Sequence, residues 1–303
     1  GKHRAEIQLR LAKAEAIGIR KAQLDFGTMF ALAVLAGAFI AAGAIYATTV
    51  WAGGAALPYG LNRLFGGLVF CLGLILVIVA GAELFTGNNL IVMAWANGKV
   101  SSALLLRNWG IVYLGNFVGS IGTAVIMLLA KQYMFNKGLL GLTALNIANA
   151  KVALDPVQAF FLGVMCNALV CMAVWLCYSA RTTTDKILSI IFPISMFVAA
   201  GFEHSVANMY FVPMGLLITA INLIGGMVVG MSIHGETWKT AVDTYFSLTI
   251  GDGLVSQFPA LLVSTATGLI VTRAVSDGSF GSDVTRQFSR QSRIYWIASV
   301  FLI

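Results

Sequence analysis

Residues 81–89 read GAELFTGNN, and residues 201–208 read GFEHSVAN. Each stretch interrupts an apolar run too long for one plain membrane helix. The run 64–95 has 32 residues and the run 187–231 has 45, where a single span needs about 20. Gly81, Glu83 and Asn88 recur as Gly201, Glu203 and Asn208 at a constant offset of 120. Matching polar, glycine-bearing breaks in two hydrophobic segments mark an internally duplicated transporter or channel with discontinuous helices. Backbone that leaves the helix at membrane depth must be sheltered by protein or by a wet cavity. Function is therefore expected at the breaks.

The rest of the chain fits that reading. Of 303 residues, 59% are hydrophobic and only 10% charged, and the mean hydropathy is +0.88. A soluble domain carries about 25% charged residues, so this chain lacks the polar coat a soluble enzyme needs. Disorder and nucleic-acid binding are excluded on the same ground. Further apolar segments lie at 29–52, 109–131, 157–180 and 254–272, with a short run at 294–303. The fold class expected is all-α: a polytopic helical membrane protein, an inverted repeat with two broken helices and an atypical C-terminal part.

Charge placement gives an expected orientation. The net charge is +7, and six of the 19 Lys and Arg residues precede residue 22. With that basic end in the cytoplasm, 95–108 and 180–187 fall inside, while 52–63 and the 131–156 loop fall outside. The two halves then enter the membrane in opposite senses. Residues 4–22 place Ile7, Leu11, Ala14 and Ile17 at helical spacing, which reads as an amphipathic helix on the membrane surface or as a solvated leader helix. The first apolar run is too long for a cleavable signal. Cys71, Cys166, Cys171 and Cys177 all lie in apolar runs without metal-ligand spacing and read as small buried hydrophobes.

Glu83 is the only charged residue between Arg63 and Lys99, and Glu203 the only one between Lys186 and Glu236. A charge at the bilayer centre costs about 2.5–3.5 kcal/mol, so both carboxylates should face protein. They are either permeation groups or structural acceptors for N–H groups freed at the breaks. His204 is the one histidine inside an apolar segment. It is either a proton relay near neutral pH or a buried side chain bonded to backbone. Thr86, Asn88 and Asn208 offer neutral hydrogen-bonding groups beside it. Phe70, Leu74, Leu84, Phe85 and Phe197 surround the breaks as core residues or as apolar constrictions. Gly115, Asn116 and Gly119 suit close helix contact with a hydrogen bond across it. No Walker loop, dinucleotide glycine run, zinc spacing or triad is present, so a non-enzyme without cofactor or metal is expected.

The stretches KAEAIGIRKAQLDF, LAGAFIAAGA, GLILVIVAGAELFTGNNL, RNWGIVYLGNFVGS, NALVCMAVWL and MFVAAGFEHSVANMYFVPMG resemble the bacterial formate/nitrite transporter family over residues 10–218. The resemblance implies an aquaporin-like bundle in the bacterial inner membrane, among lipid, assembled as a homopentamer with a pore in each protomer. It implies a small monovalent anion as the partner: formate, nitrite or hydrosulfide. It further implies that Thr86 faces the pore, that His204 and Asn208 are the central His and its Asn, and that Lys151 is the outer-loop Lys. Phe70, Leu74, Leu84 and Phe197 would form the apolar slits. A Lys beside the vestibule attracts the anion, a His protonates it, and the neutral acid crosses the slits cheaply.

From residue 219 the chain instead resembles the integral-membrane export gate of flagellar and type III secretion systems. AINLIGGMVVGM, HGE and TYFSLTIGDGLVSQFPALLVSTATGLIVTR carry this likeness. It links Asp252 to proton use in protein export; on residue type alone Asp252 reads as an interfacial helix N-terminal residue. The expected organisation is an N-terminal amphipathic helix (1–26), a transporter-like membrane domain (27–218) and an export-gate-like segment (219–303). Such a chain is a composite of two families or a transporter with a divergent tail. The alternative to anion transport is a fragment of an export gate, or a fusion without function.

Overall fold

The computed structural model describes residues 2–245. The chain divides into two units, residues 1–235 and 236–303. In the second unit, Thr237 Oγ1 accepts from Thr240 N at 3.3 Å and opens a helical turn. Asp252 and the apolar segments 254–272 and 294–303 lie outside the described residues.

The first unit is built of helices joined by short turns and by the two breaks. In chain order the helices are α1 (Lys2–Ala22), α2 (Phe26–Gly53), α3 (Tyr59–Ala80), α4 (Phe85–Asn88), α5 (Val92–Ala96), α6 (Ser102–Leu129), α7 (Leu139–Val152), α8 (Pro156–Ser179), α9 (Thr183–Ala200) and α10 (Ser205–Ser232). Six of them, α2, α3, α6, α8, α9 and α10, are long and apolar enough to cross a membrane. Short polar residues start these rods by accepting from free N–H groups. Asp25 accepts from Thr28 N, Ser101 from Leu104 N, and Asp155 from Val157 and Gln158 N. Thr182 and Asp185 cap each other's turn at the head of α9.

Glycine sets the tightest contact. A Cβ on Gly37 would meet the backbone of Asn116, and one on Gly119 the backbone of Val34. The expected small-residue contact of α6 is therefore made with α2, backbone against backbone. Helix α2 also packs on α3, and α3 on α9; α10 packs on α6 and α7.

Two local readings differ from the sequence expectation. Residues 139–152 are a helix rather than loop, because Leu140, Ala144 and Ala148 recur every fourth residue and bury one stripe. Helix α1 docks on protein through Ala14, Gly18 and Ala22, with Ile91 and Ala94 beneath it, while Ile7 and Leu11 stay exposed. Small residues permit that closer approach. Glu15 is buried with them and pairs with Lys99 and Asn97. Helix α10 runs on through Leu217 without a polar connection and ends at Ser232.

Candidate functional site: two vestibules and a pinched waist

The two breaks are built alike. α3 stops at Gly81 (φ 72°) and α9 at Gly201 (φ 78°), left-handed positions that favour glycine. The next amides fold back in both: Ala82 N donates to Val77 O and Phe202 N to Phe197 O, each at 2.9 Å. Glu83 N then reaches Leu32 O on α2 (3.2 Å), and Glu203 N reaches Leu162 O on α8 (3.4 Å).

Each break carries a Lys–Glu–Asn triplet. Lys21 Nζ lies 2.7 Å from Glu83 Oε1, and Asn88 Nδ2 donates to Glu83 Oε2 at 2.7 Å. In the second, Lys151 Nζ lies 2.9 Å from Glu203 Oε2, and Asn208 Nδ2 donates to the same oxygen at 2.7 Å. Both carboxylates are thus ion-paired and hydrogen-bonded, as a charge at membrane depth requires. Asn88 and Asn208 do not reach His204 as expected; their amides are held by the glutamates. Asn88 also donates to Asn108 Oδ1 (3.0 Å), and Lys151 sits 5.4 Å from the centre of the Phe211 ring.

The two halves differ in the waist. Leu84 ends the first break, and His204 stands at the corresponding point of the second. Ala207 N donates to His204 Nδ1 at 3.0 Å. Nδ1 is thereby the acceptor, and the neutral ring carries its hydrogen on Nε2. That nitrogen is 3.1 Å from Thr86 Oγ1, and both residues are buried. The imidazole lies nearly parallel to Phe197, ring centres 5.6 Å apart, and Phe70 meets Phe197 edge-on.

Two cavities approach this waist. One, of about 480 Å³, lies beside α1 and is lined by Lys21, Glu83, Asn88, Leu74 and Leu84. The other, of about 420 Å³, lies beside α7 and is lined by Lys151, Glu203, Phe70, Phe197 and His204. Between them a void of about 10 Å³, room for roughly one water, is walled by Phe70, Leu74, Leu84, Phe197 and His204. Leu74 and Leu84 therefore close the α1-side vestibule, and Phe70 and Phe197 the α7-side vestibule. A fourth hollow of about 340 Å³ meets Thr86 and His204 from the side, between Phe160 and Asn167.

Of the residues singled out in the sequence, Phe70, Leu74, Leu84, Phe197 and His204 wall the central void, and Thr86 touches His204. The sequence reading does not single out Lys21, Asn108 or Asn167, and gives Asn116 only a contact between helices. Asn116 latches the first break: its Oδ1 accepts from Phe85 N (2.9 Å), and its Nδ2 donates to Ala33 O and Glu83 O. Lys21 had a signal, since KAQLD at 21–25 recurs as KVALD at 151–155. Asp25 and Asp155, which cap α2 and α8, recur with the lysines at an offset of 130.

A sequence profile of formate/nitrite transporters matches residues 9–262. The chain belongs to the formate/nitrite transporter family. It is 45% identical over 188 residues to the formate channel FocA of Haemophilus influenzae, covering 62% of this chain and 66% of that protein. With FocA of Escherichia coli K12 it shares 43% over 205 residues, covering 68% of this chain and 72% of that protein. The chain thus spans about two thirds of the length of these relatives. Among solved structures, a pentameric formate channel with formate bound superposes with a TM-score of 0.62 at 39% identity, over 82% of this chain and 98% of that one. The broken-helix, all-α membrane fold is the fold of that channel. A stretch of 92 residues is 53% identical to the flagellar biosynthesis protein FlhA of Borreliella burgdorferi; it makes up 30% of this chain and 13% of that protein.

Proposed function

We propose that this formate/nitrite transporter family member carries a small monovalent anion of a weak acid, formate or nitrite or hydrosulfide, across the bacterial inner membrane. The anion enters from either vestibule, drawn by Lys21 or Lys151, each only partly neutralised by its glutamate in the field of a narrow cavity. The apolar pairs Leu74–Leu84 and Phe70–Phe197 reject it as an ion and admit it as the neutral acid, because desolvating a charge there is far more costly than desolvating a hydroxyl. His204 serves as the proton relay. Its Nε2 faces Thr86 at the waist, and taking up a second proton requires Nδ1 to release the Ala207 N–H. The names and titles of the relatives support formate as the substrate and a pentameric assembly. The basic α1 end supports a cytoplasmic N-terminus. The observation that carries the proposal is the meeting of two Lys–Glu–Asn vestibules at a buried His204–Thr86 contact.

The test is formate uptake into proteoliposomes with and without an inward proton gradient. Uptake that follows the gradient, and loses that dependence in His204→Asn, is the expected result. An unchanged gradient response in His204→Asn removes the relay.

A second reading rests on the FlhA-like stretch. If the chain acts as an export-gate subunit, it shows no formate flux and co-purifies with export components; Asp252 is then its candidate proton-linked residue.

A further inference from the structure

The repeat makes the two vestibules comparable position by position. With offsets of 130 in the first span and 120 in the second, Ile17, Lys21, Leu32 and Glu83 of one cavity correspond to Ile147, Lys151, Leu162 and Glu203 of the other. Several lining residues break the match, and at two of them a cation replaces Ala or Gly. Arg20 stands where the other half has Ala150, and Lys186 stands where it has Gly66.

These two cations are also the uncommitted ones. Lys21 is held by Glu83, and Lys13 Nζ donates to Tyr178 O at 2.8 Å. In the α7-side vestibule Arg63 is committed to the carbonyls of Val198 and Ala199 that end α9. The side chains of Arg20 and Lys186 have no hydrogen-bond or ion-pair partner among the described residues, and Glu83 is the one carboxylate lining their cavity. A volume of about 480 Å³ lies in the range of small-molecule sites, roughly 300–1,000 Å³. It far exceeds what an anion of three heavy atoms fills.

We propose that the α1-side vestibule is a binding site for a compact polyanion, a molecule bearing two or more carboxylate or phosphate groups, held between Arg20 and Lys186. One cation suffices to attract a monovalent permeant, and a site that releases its cargo gains nothing from two more. Two free cations facing one cavity match a divalent or trivalent ligand, with Arg20 offering a planar fork to a carboxylate or phosphate. A ligand seated there covers the approach to Leu74 and Leu84, so occupancy blocks the pore from the α1 side.

The binding is measured by titration calorimetry on the full chain in neutral detergent, with citrate and inorganic pyrophosphate in separate arms and acetate at equal ionic strength as reference. Citrate or pyrophosphate is expected to bind and acetate not. Arg20→Gln with Lys186→Gln should weaken binding by about tenfold or more, while the charge-conserving pair Arg20→Lys with Lys186→Arg retains it. The thermal midpoint of each variant verifies folding. Equal weak binding of all three anions, or an unchanged Kd in the glutamine pair, overturns the proposal. This readout needs no transport and stands apart from the flux test above.

Discussion

Leu84 and His204 hold the same place in the two halves. Each precedes the helix that follows its break, and each carbonyl accepts from the asparagine four residues on, at 2.8 Å for Asn88 and 3.0 Å for Asn208. Only the histidine adds a side-chain cap, through Nδ1 to Ala207 N. Two roles of His204 can thus be separated. His204→Asn keeps an acceptor for the helix end, whereas His204→Leu reproduces the other half and loses the cap, at a cost of about 1 kcal/mol. The expected outcome is a lower thermal midpoint in His204→Leu than in His204→Asn. Proton-driven formate uptake should fall about tenfold or more in both.

The Lys151–Glu203 pair is mostly screened from solvent, its side chains 16% and 14% exposed. Removing one partner leaves the other charge poorly solvated. Lys151→Met should destabilise by about 1–3 kcal/mol, less than a fully buried pair because some solvent reaches it. Adding Glu203→Gln removes the orphaned charge and should recover part of the loss. Chemical unfolding of the two single variants and the double variant measures the coupling. Strict additivity within about 0.5 kcal/mol would show that the two charges act independently.

Much of this site was legible because membrane burial makes a polar residue conspicuous. Glu83, Glu203 and His204 stand alone in apolar sequence, and the 120-residue offset pairs the breaks. Lys21 was hidden among six basic residues of an N-terminal segment, where charge reads as surface anchoring. Only the 130-residue recurrence with Lys151 distinguishes it. Of the α1 face expected from the sequence only Ala14 is buried; it lies with Gly18 and Ala22, whose smallness carries little hydrophobic signal. Asn116 stands out by its glycine neighbours, but nothing in its spacing tells that it reaches back to Phe85 rather than only across to α2.

Asn116 makes three hydrogen bonds with backbone of the first break and α2. Asn222 and Gly225 repeat the spacing of Asn116 and Gly119 later in the sequence, but Asn222 is exposed and a Cβ on Gly225 would meet nothing within 4 Å. The first break is therefore latched from outside, and the second depends on its own Glu203–Asn208–Lys151 set. Asn116→Ala should cost about 2–4 kcal/mol, since it strands buried backbone donors and acceptors. Amide exchange at Phe85 should accelerate, while exchange at Ala207 stays unchanged. Equal acceleration at both amides would mean that the two breaks open as one unit.

Docking of α1 should depend on pH through Glu15. Its carboxylate accepts from Lys99 and Asn97, and those contacts hold its pKa below the ordinary carboxylate value. The undocked carboxyl therefore takes up a proton at higher pH than the docked one. By linkage, the stabilisation is complete at neutral pH and fades as pH falls through the ordinary carboxylate range toward the lowered value. Because Lys21 rides on the same helix, loss of docking also withdraws the cation from Glu83. Proteolysis of α1 should rise on acidification in the wild type. Glu15→Gln, with no proton to gain, should show a raised and pH-independent cleavage rate. A wild-type rate that stays flat down to pH 4 would place the anchor of α1 elsewhere, in the contact of Gly18 and Ala22 with Ile91 and Ala94.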